Sequence, residues 1–289
     1  MVTRALAVLA ALAAMVSAAA SASALDSQSL RLLLLGAQDM NTPQTPLRAD
    51  IAVEVREPKG SRTTQAIAFF LPGPEARWYL QLREPELAAL VLGTDRKVMQ
   101  RHGRSTETLP IGAPIDELWI SYEDLSRFIV SDFETWQITD ENAQTILVGG
   151  HPAVDSAYVY RAYSFDKERT LPLRVQFYAK TLNNLVKMRL DGDHVLIGKK
   201  WFPGTIEIQN FPENTTTALT LTWTQAATVP PELLAPESFA AAPLVAWERA
   251  AAAPSPAAPA GAAGPSPTAV ASPVAGRSPA ALGSPAAAP

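Results

Sequence analysis

The feature that constrains this chain most is a side-chain alternation of period two, which returns in run after run between residues 50 and 225, each run closed by a turn signal. Successive side chains of a strand point to opposite faces. Ile51, Val53 and Val55 therefore share one face, and after the turn Pro58-Lys59-Gly60-Ser61 the same pattern groups Ile67, Phe69 and Leu71. Further strands are expected at 77–82, 87–92, 96–101, 133–139, 144–148, 157–165, 173–180, 185–190, 195–197, 205–210 and 216–225. The joining turns carry hairpin chemistry, as in Gly93-Thr94-Asp95, Asn183-Asn184 and Asp191-Gly192-Asp193. The fold class that follows is α+β, mainly antiparallel β, built on a single curved sheet.

Two short helices are expected beside the strands. Asp26-Ser27-Gln28-Ser29 caps the first, which Gly36 should end, and Ser121 caps the second, where Glu123 and Asp124 fill the first turn and Leu118, Leu125, Phe128 and Ile129 make an apolar stripe. The polar, turn-rich stretch 102–114 reads as a long loop, and Gly149-Gly150-His151-Pro152 as a turn. Two helices cannot cover one apolar face of so many strands. Either the sheet curls over itself, or it leaves a hollow able to take a ligand. The side chains expected to face such a hollow are Ile67, Phe69, Leu71, Trp78, Leu80, Leu82, Val175, Phe177, Ile206, Ile208, Leu219, Leu221 and Trp223, with Leu125 and Phe128 lying over them as part of a lid.

The two ends of the chain differ from this middle. Residues 1–24 run from Arg4 through an Ala/Leu/Val stretch to Ala22-Ser23-Ala24, the order of a cleaved secretory signal. Residues 250–289 are almost entirely Ala, Pro, Gly and Ser and have too little apolar side chain to form a core, so a disordered tail is expected there. Residues 25–249 remain as the folded domain, with 22 bases against 28 acids. That balance argues against nucleic acid as a partner, because phosphate neutralisation needs surplus Lys and Arg. With no cysteine, the chain lacks disulfides, thiolate metal sites, a cysteine nucleophile and the acylatable residue of a bacterial lipoprotein.

Little in the sequence points to bond-making chemistry. His102, His151 and His194 are the only histidines, and Asp191-Gly192-Asp193 ahead of His194 reads as a hairpin turn before it reads as a metal site. The stretch from Gly192 to Lys200 misses phosphate-loop spacing, and neither G-x-S-x-G nor H-E-x-x-H occurs. Adjacent acids such as Glu123 with Asp124, or Asp140 with Glu141, point apart and read as solvated or capping charge. No cofactor and no metal are expected. Arg161 stands out because it alternates with Val159, Tyr163 and Phe165; turned inward it would need a partner and could latch a lid, while the opposite register would put it outside.

Three segments in fixed order carry a family resemblance: Ser121-Tyr122-Glu123-Asp124-Leu125; Phe165-Asp166-Lys167-Glu168 followed by Leu171-Pro172-Leu173-Arg174; and Lys200-Trp201-Phe202-Pro203 followed by Ile206-Glu207-Ile208. With the hairpins around them they resemble the outer membrane lipoprotein-sorting, LolA-like proteins over residues 49–239. The resemblance implies an unclosed antiparallel half-barrel with helices across its mouth, enclosing an apolar cavity for lipid or the acyl chains of lipoproteins in the periplasm. It also implies a monomer served by an inner-membrane exporter or outer-membrane receptor. The stretch 102–114 and the Ala/Pro tail depart from the family pattern. A lipid carrier is the leading expectation; an envelope adaptor docking partners through its sheet edge or tail, and an enzyme working through carboxylates alone, are the alternatives.

Overall fold

The computed structural model describes residues 27–247 apart from Pro74, Asp116, Glu117, Val154 and Ala227. The signal at 1–24 and the tail at 250–289 lie outside the described residues. The chain divides into two compact units, Met1–Val245 and Ala246–Pro289, and of the second only Ala246 and Trp247 are described.

After helix α1 (Ser27–Met40) the chain lays down β1 (Leu47–Glu57), β2 (Gly60–Phe70), β3 (Arg77–Leu82), β4 (Leu87–Leu92), β5 (Lys97–His102) and β6 (Ser105–Pro110) as an antiparallel meander. It then leaves that edge. A small ladder of β7 (Pro114–Ile115) and β8 (Ile120–Ser121) and the one-turn helix α2 (Tyr122–Leu125) follow, and β9 (Phe133–Glu141) starts at the opposite edge. Strands β10 (Thr145–Pro152), β11 (Tyr160–Asp166), β12 (Leu171–Tyr178) and β13 (Leu185–Gly192) return neighbour by neighbour. The hairpin of β14 (Val195–Ile197) and β15 (Lys200–Phe202) intervenes before β16 (Thr205–Asn210) pairs with β13, and β17 (Thr215–Gln225) joins β16 to β1. The result is one antiparallel 13-stranded sheet with β6 and β9 as unpaired edges.

That sheet is curled. Strands β5 and β9 stand eleven places apart, which at about 4.8 Å per strand would separate them by roughly 50 Å in a flat sheet. Yet Arg96, just before β5, places Nη1 3.1 Å from Oδ2 of Asp132, just before β9. The two ends of the sheet approach without pairing, and the connection between them, residues 111–132, runs across the concave face. Its apolar side chains Ile111, Ile115, Leu118, Ile120 and Tyr122 pack on Ile51, Val53, Leu80, Val91, Val98 and Leu219 from strands β1, β3, β4, β5 and β17. Helix α1 covers the other half of the same face, with Leu30, Leu34 and Ala37 against Phe165, Val175 and Phe177.

Several local expectations are corrected. Strand β2 presents Ala66, Ala68 and Phe70 inward, opposite Leu82, Leu80 and Trp78, while Ile67 and Phe69 pair with Gln81 and Tyr79 on the convex side and Leu71 lies beyond the strand end. Both faces of this strand are apolar, because the convex side is also covered. The turn Pro231–Leu233 and helix α3 (Pro236–Phe239) fold back there, burying Phe239 completely against Tyr79. Gln81 exchanges two hydrogen bonds with the backbone of Val245, and Arg101 donates to the carbonyls of Phe239, Ala240 and Ala242. The stretch 102–114 holds strand β6, paired residue for residue with β5. Helix α1 passes through Gly36 to Met40, since Ala37 is needed in the core. The second helix is one turn only, because Ser126 returns to extended backbone.

Gly149 and Gly150 lie within β10 and do not turn the chain. A Cβ on Gly149 would sit 1.8 Å from the Tyr160 hydroxyl, and one on Gly150 would sit 2.7 Å from the Thr135 carbonyl. Glycine inside a strand here marks the close approach of neighbouring groups.

Candidate functional site

The Ser121-Tyr122-Glu123-Asp124-Leu125 segment is fixed by its own chemistry before the sheet touches it. Ser121 Oγ accepts from the Asp124 N–H at 3.2 Å while Asp124 Oδ2 accepts from the Ser121 N–H at 2.7 Å, a reciprocal capping box. Tyr122 points into the core and donates to Gln100 Oε1 at 2.5 Å. Both acids are buried, and a buried carboxylate requires partners. Glu123 accepts from Arg96 at 2.5 Å, Ser156 Oγ at 2.6 Å and the Ala157 N–H at 3.0 Å, with Arg161 at 3.5 Å. Asp124 accepts from Lys187 at 2.7 Å and from the Tyr158 hydroxyl. This one-turn helix is therefore bolted to strands from both halves of the sheet.

The electrostatics follow from burial against pairing. For Glu123 burial opposes ionisation, but Arg161, Ser156, Arg96 and the Ala157 N–H outweigh it and hold the carboxyl below its usual value. For Asp132 burial prevails over Arg96 and Arg161, and its pKa is raised. Burial, then the Asp124 charge, pushes the Tyr158 hydroxyl well up.

Where the connecting segment turns away after Leu125, it leaves a hollow between itself, the sheet and the β14–β15 hairpin. The hollow holds about 750 Å³ of space free of protein atoms, counting its open mouth. The enclosed cavity itself is about 80 Å³, below the roughly 300–1,000 Å³ range of small-ligand sites, so a ligand of that size would enter only if the segment over it moved. Its walls are mainly aromatic and aliphatic: Phe70 from β2, Val175 from β12, Ile206 from β16, Leu221 and Trp223 from β17, and Trp201 and Phe202 from β15. Trp223 is braced between Phe70 and Phe202, with ring centroids at 5.2 and 5.1 Å, and donates Nε1–H to the Pro203 carbonyl at 2.7 Å. The polar part of the lining is Asn41, Ser126, Arg127, Arg189, Asp191 and His194. Arg189 and Asp191 neutralise one another through two hydrogen bonds of 2.6 and 2.8 Å. Burial lowers the His194 pKa.

Of the side chains singled out from sequence, Leu125, Phe128, Val175, Ile206, Leu221 and Trp223 border this hollow. Trp78, Leu80, Leu82, Ile208 and Leu219 share the concave face but are packed under the connecting segment, and Phe177 is packed in the cluster under α1. Ile67 and Phe69 are on the convex side. Arg161 is turned inward, its guanidinium over the Phe133 ring at 4.5 Å and beside Glu123. Sequence reasoning missed Phe70, Tyr163, Trp201, Phe202, Arg127 and the Arg189–Asp191 pair. The last pair left a signal: Lys187, Arg189 and Asp191 alternate with Val186, Met188 and Leu190, so one face of β13 is charged where its neighbours are apolar.

Among the described residues no group of three or more His, Asp or Glu could hold a metal ion, and no helix is long and apolar enough to cross a membrane.

A family model described as an uncharacterized protein-like family matches residues 119–239. No curated protein matches the sequence. Solved structures do resemble it. A putative outer membrane lipoprotein-sorting protein domain from Vibrio parahaemolyticus aligns with a TM-score of 0.62 at 16% identity, covering 70% of this chain and 94% of that one. A LolA superfamily protein from Nitrosomonas europaea gives 0.59 at 12% identity, covering 72% and 97%. A DUF1329 family protein from Desulfovibrio piger gives 0.59 at 12% identity, covering 71% and 95%. At such identities the likeness is one of fold: the unclosed antiparallel sheet is LolA-like.

Proposed function

We propose that this protein is a non-catalytic periplasmic carrier that takes lipid, or the acyl chains of lipoproteins, into the hollow beneath residues 125–128 and releases them to an acceptor. The observation that carries the reading is the aromatic and aliphatic lining of a hollow inside a sheet that is not closed. An acyl chain of about 14 carbons would gain roughly 10 kcal/mol on full burial at about 0.8 kcal/mol per CH₂, and because the enclosed cavity is about 80 Å³, taking up that chain requires the segment over the hollow to move. Transfer then needs no bond made or broken, only a difference in affinity between donor, hollow and acceptor. The signal expected at 1–24 supplies the route to the periplasm, the inner-membrane exporter and outer-membrane receptor are the partners this reading calls for, and the Arg161–Glu123 contact is the latch of the segment over the hollow. The fold of the lipoprotein-sorting domain from Vibrio parahaemolyticus supports the same reading.

Native mass spectrometry of the protein purified from the envelope tests it. A co-purifying acyl species, lost on delipidation and regained on incubation with lipid, is the expected result. A bare polypeptide that takes up no lipid or fatty acid would replace the carrier reading with that of an envelope adaptor.

A further inference from the structure

The hollow carries an unbalanced charge. Arg127, Arg189, Asp191 and His194 are the ionisable groups with a place in its lining, apart from the Tyr163 hydroxyl. Arg189 is spent: Asp191 takes two of its hydrogen bonds, and the Asp124 and Ser126 carbonyls take Nη1 at 3.0 and 3.4 Å. Arg127 is not. Its one hydrogen bond among the described residues runs from Nη2 to the Gly73 carbonyl at 2.6 Å. Its Nε is buried with no partner, and no described carboxylate forms an ion pair with it. Burial also pulls the guanidinium below its usual pKa, although the residue as a whole is half-buried and only its Nε is both buried and unpartnered.

A half-buried guanidinium at an apolar wall whose buried Nε has no acceptor gains by meeting one, and an oxyanion such as a carboxylate or phosphate, which can accept two parallel hydrogen bonds, is the group it matches best. The domain as a whole is acidic, so this cation belongs to no general basic surface. We propose that Arg127 is an anion-binding position at the hollow, and that the ligand is a single-chain or lipid amphiphile whose acyl part lies against Trp223 and Phe70 while its carboxylate or phosphate pairs with Arg127. The inference rests on the carrier reading and narrows it to acidic amphiphiles. The Gly73 carbonyl holds the guanidinium in place until the anion arrives, and Nε supplies a donor already facing away from water.

The test compares a fluorescent 16-carbon fatty acid with its methyl ester on the full chain at neutral pH. Wild type is expected to bind the acid about tenfold or more tightly, the scale of one hydrogen-bonded charge contact. Arg127→Met should bring the ratio of acid to ester affinity to about one, and Arg127→Lys should keep most of the preference. Hexadecyl phosphate should displace the labelled acid, and inorganic phosphate at equal concentration should not. Equal binding of acid and ester by wild type would overturn the proposal even if Arg127→Met failed to fold. So would a preference that survives in Arg127→Met, or displacement by inorganic phosphate alone. Each of these leaves the carrier reading standing, because the ester still binds; failure of both acid and ester to bind wild type overturns the carrier reading and this inference together.

Discussion

Arg96 Nη1 and Asp132 Oδ2 meet at 3.1 Å although the strands they precede are eleven places apart in the sheet. The same guanidinium reaches Glu123 at 2.5 Å and the Asp155 carbonyl at 3.2 Å, so one side chain ties the first half of the sheet, the second half and the segment crossing between them. Replacing it with methionine leaves the buried Glu123 and the half-buried Asp132 short of their counter-charge. A loss of about 3–5 kcal/mol is expected, or roughly 6–20 °C in Tm for a domain of this size. Thermal unfolding of Arg96→Met within two degrees of wild type would mean that packing alone holds the sheet curled.

Glu123 makes stability depend on acid in a defined direction. Its folded pKa lies below the unfolded value of about 4.3, so its contribution is complete above that pH and disappears as the pH falls through the folded value. Asp132, whose pKa is raised, works the other way: its contribution is present at low pH and is lost as the pH rises toward the folded value. Glu123→Gln should therefore be less stable than wild type at pH 7 and lose less on acidification below about pH 4. Urea unfolding at pH 7 and pH 3.5 measures both; parallel losses in the two proteins would exclude Glu123 as a source of the acid sensitivity.

Gly150 should not tolerate a methyl group. Its Cβ would meet the Thr135 carbonyl at 2.7 Å and the Phe133 and Trp136 rings at 3.0 Å, and a backbone carbonyl in a sheet cannot step aside cheaply. Gly150→Ala is expected to cost about 1–3 kcal/mol, the usual range for overpacking. A Tm equal to that of wild type would show that β9 shifts to make room.

The hollow can be probed through its own tryptophans. Trp201 and Trp223 line it, whereas Trp78 is packed in the core and Trp119 is exposed. An acyl chain brominated near its end should quench the intrinsic fluorescence of the protein, and Trp223→Phe should remove a large share of that quenching. Phe128→Glu is unsuitable for this purpose, because Phe128 is 3% exposed and lies 4.9 Å from the Tyr163 ring and 5.2 Å from Phe165. That variant is expected to lose the fold by burying an unpaired charge. Thr220→Glu, exposed on the other face, should leave both fold and quenching unchanged.

On the convex side, Phe239→Ala removes a fully buried ring seated against Tyr79 and under the Arg101 guanidinium. A loss of about 3–5 kcal/mol is expected. Deleting 250–289, which has little apolar side chain to contribute, should shift Tm by no more than about a degree or two. Differential scanning calorimetry of the two variants checks both, and a large drop on deletion would mean that the tail docks.

Because period-two alternation and turn residues act over a few neighbours, the sequence alone determined most of the strands, though not β6 or β15. Strands β3, β4, β14 and β16 fall at 77–82, 87–92, 195–197 and 205–210, as their alternation demands. It also determined the capped turn at Ser121, since a capping box is closed within four residues. It could not determine which face of β2 points inward, because Ala66-Ile67-Ala68-Phe69-Phe70 is apolar on both sides and the choice rests on Phe239, more than 160 residues away. Nor could it read Gly149-Gly150 as strand, since the reason lies in the Tyr160 and Thr135 atoms of neighbouring strands. The hollow was legible only as an uncovered apolar face. Its place, and the cation left over in it, were decided when residues 111–132 crossed the curled sheet and brought Arg127 beside an apolar wall, a juxtaposition set by long-range pairing that no local pattern records.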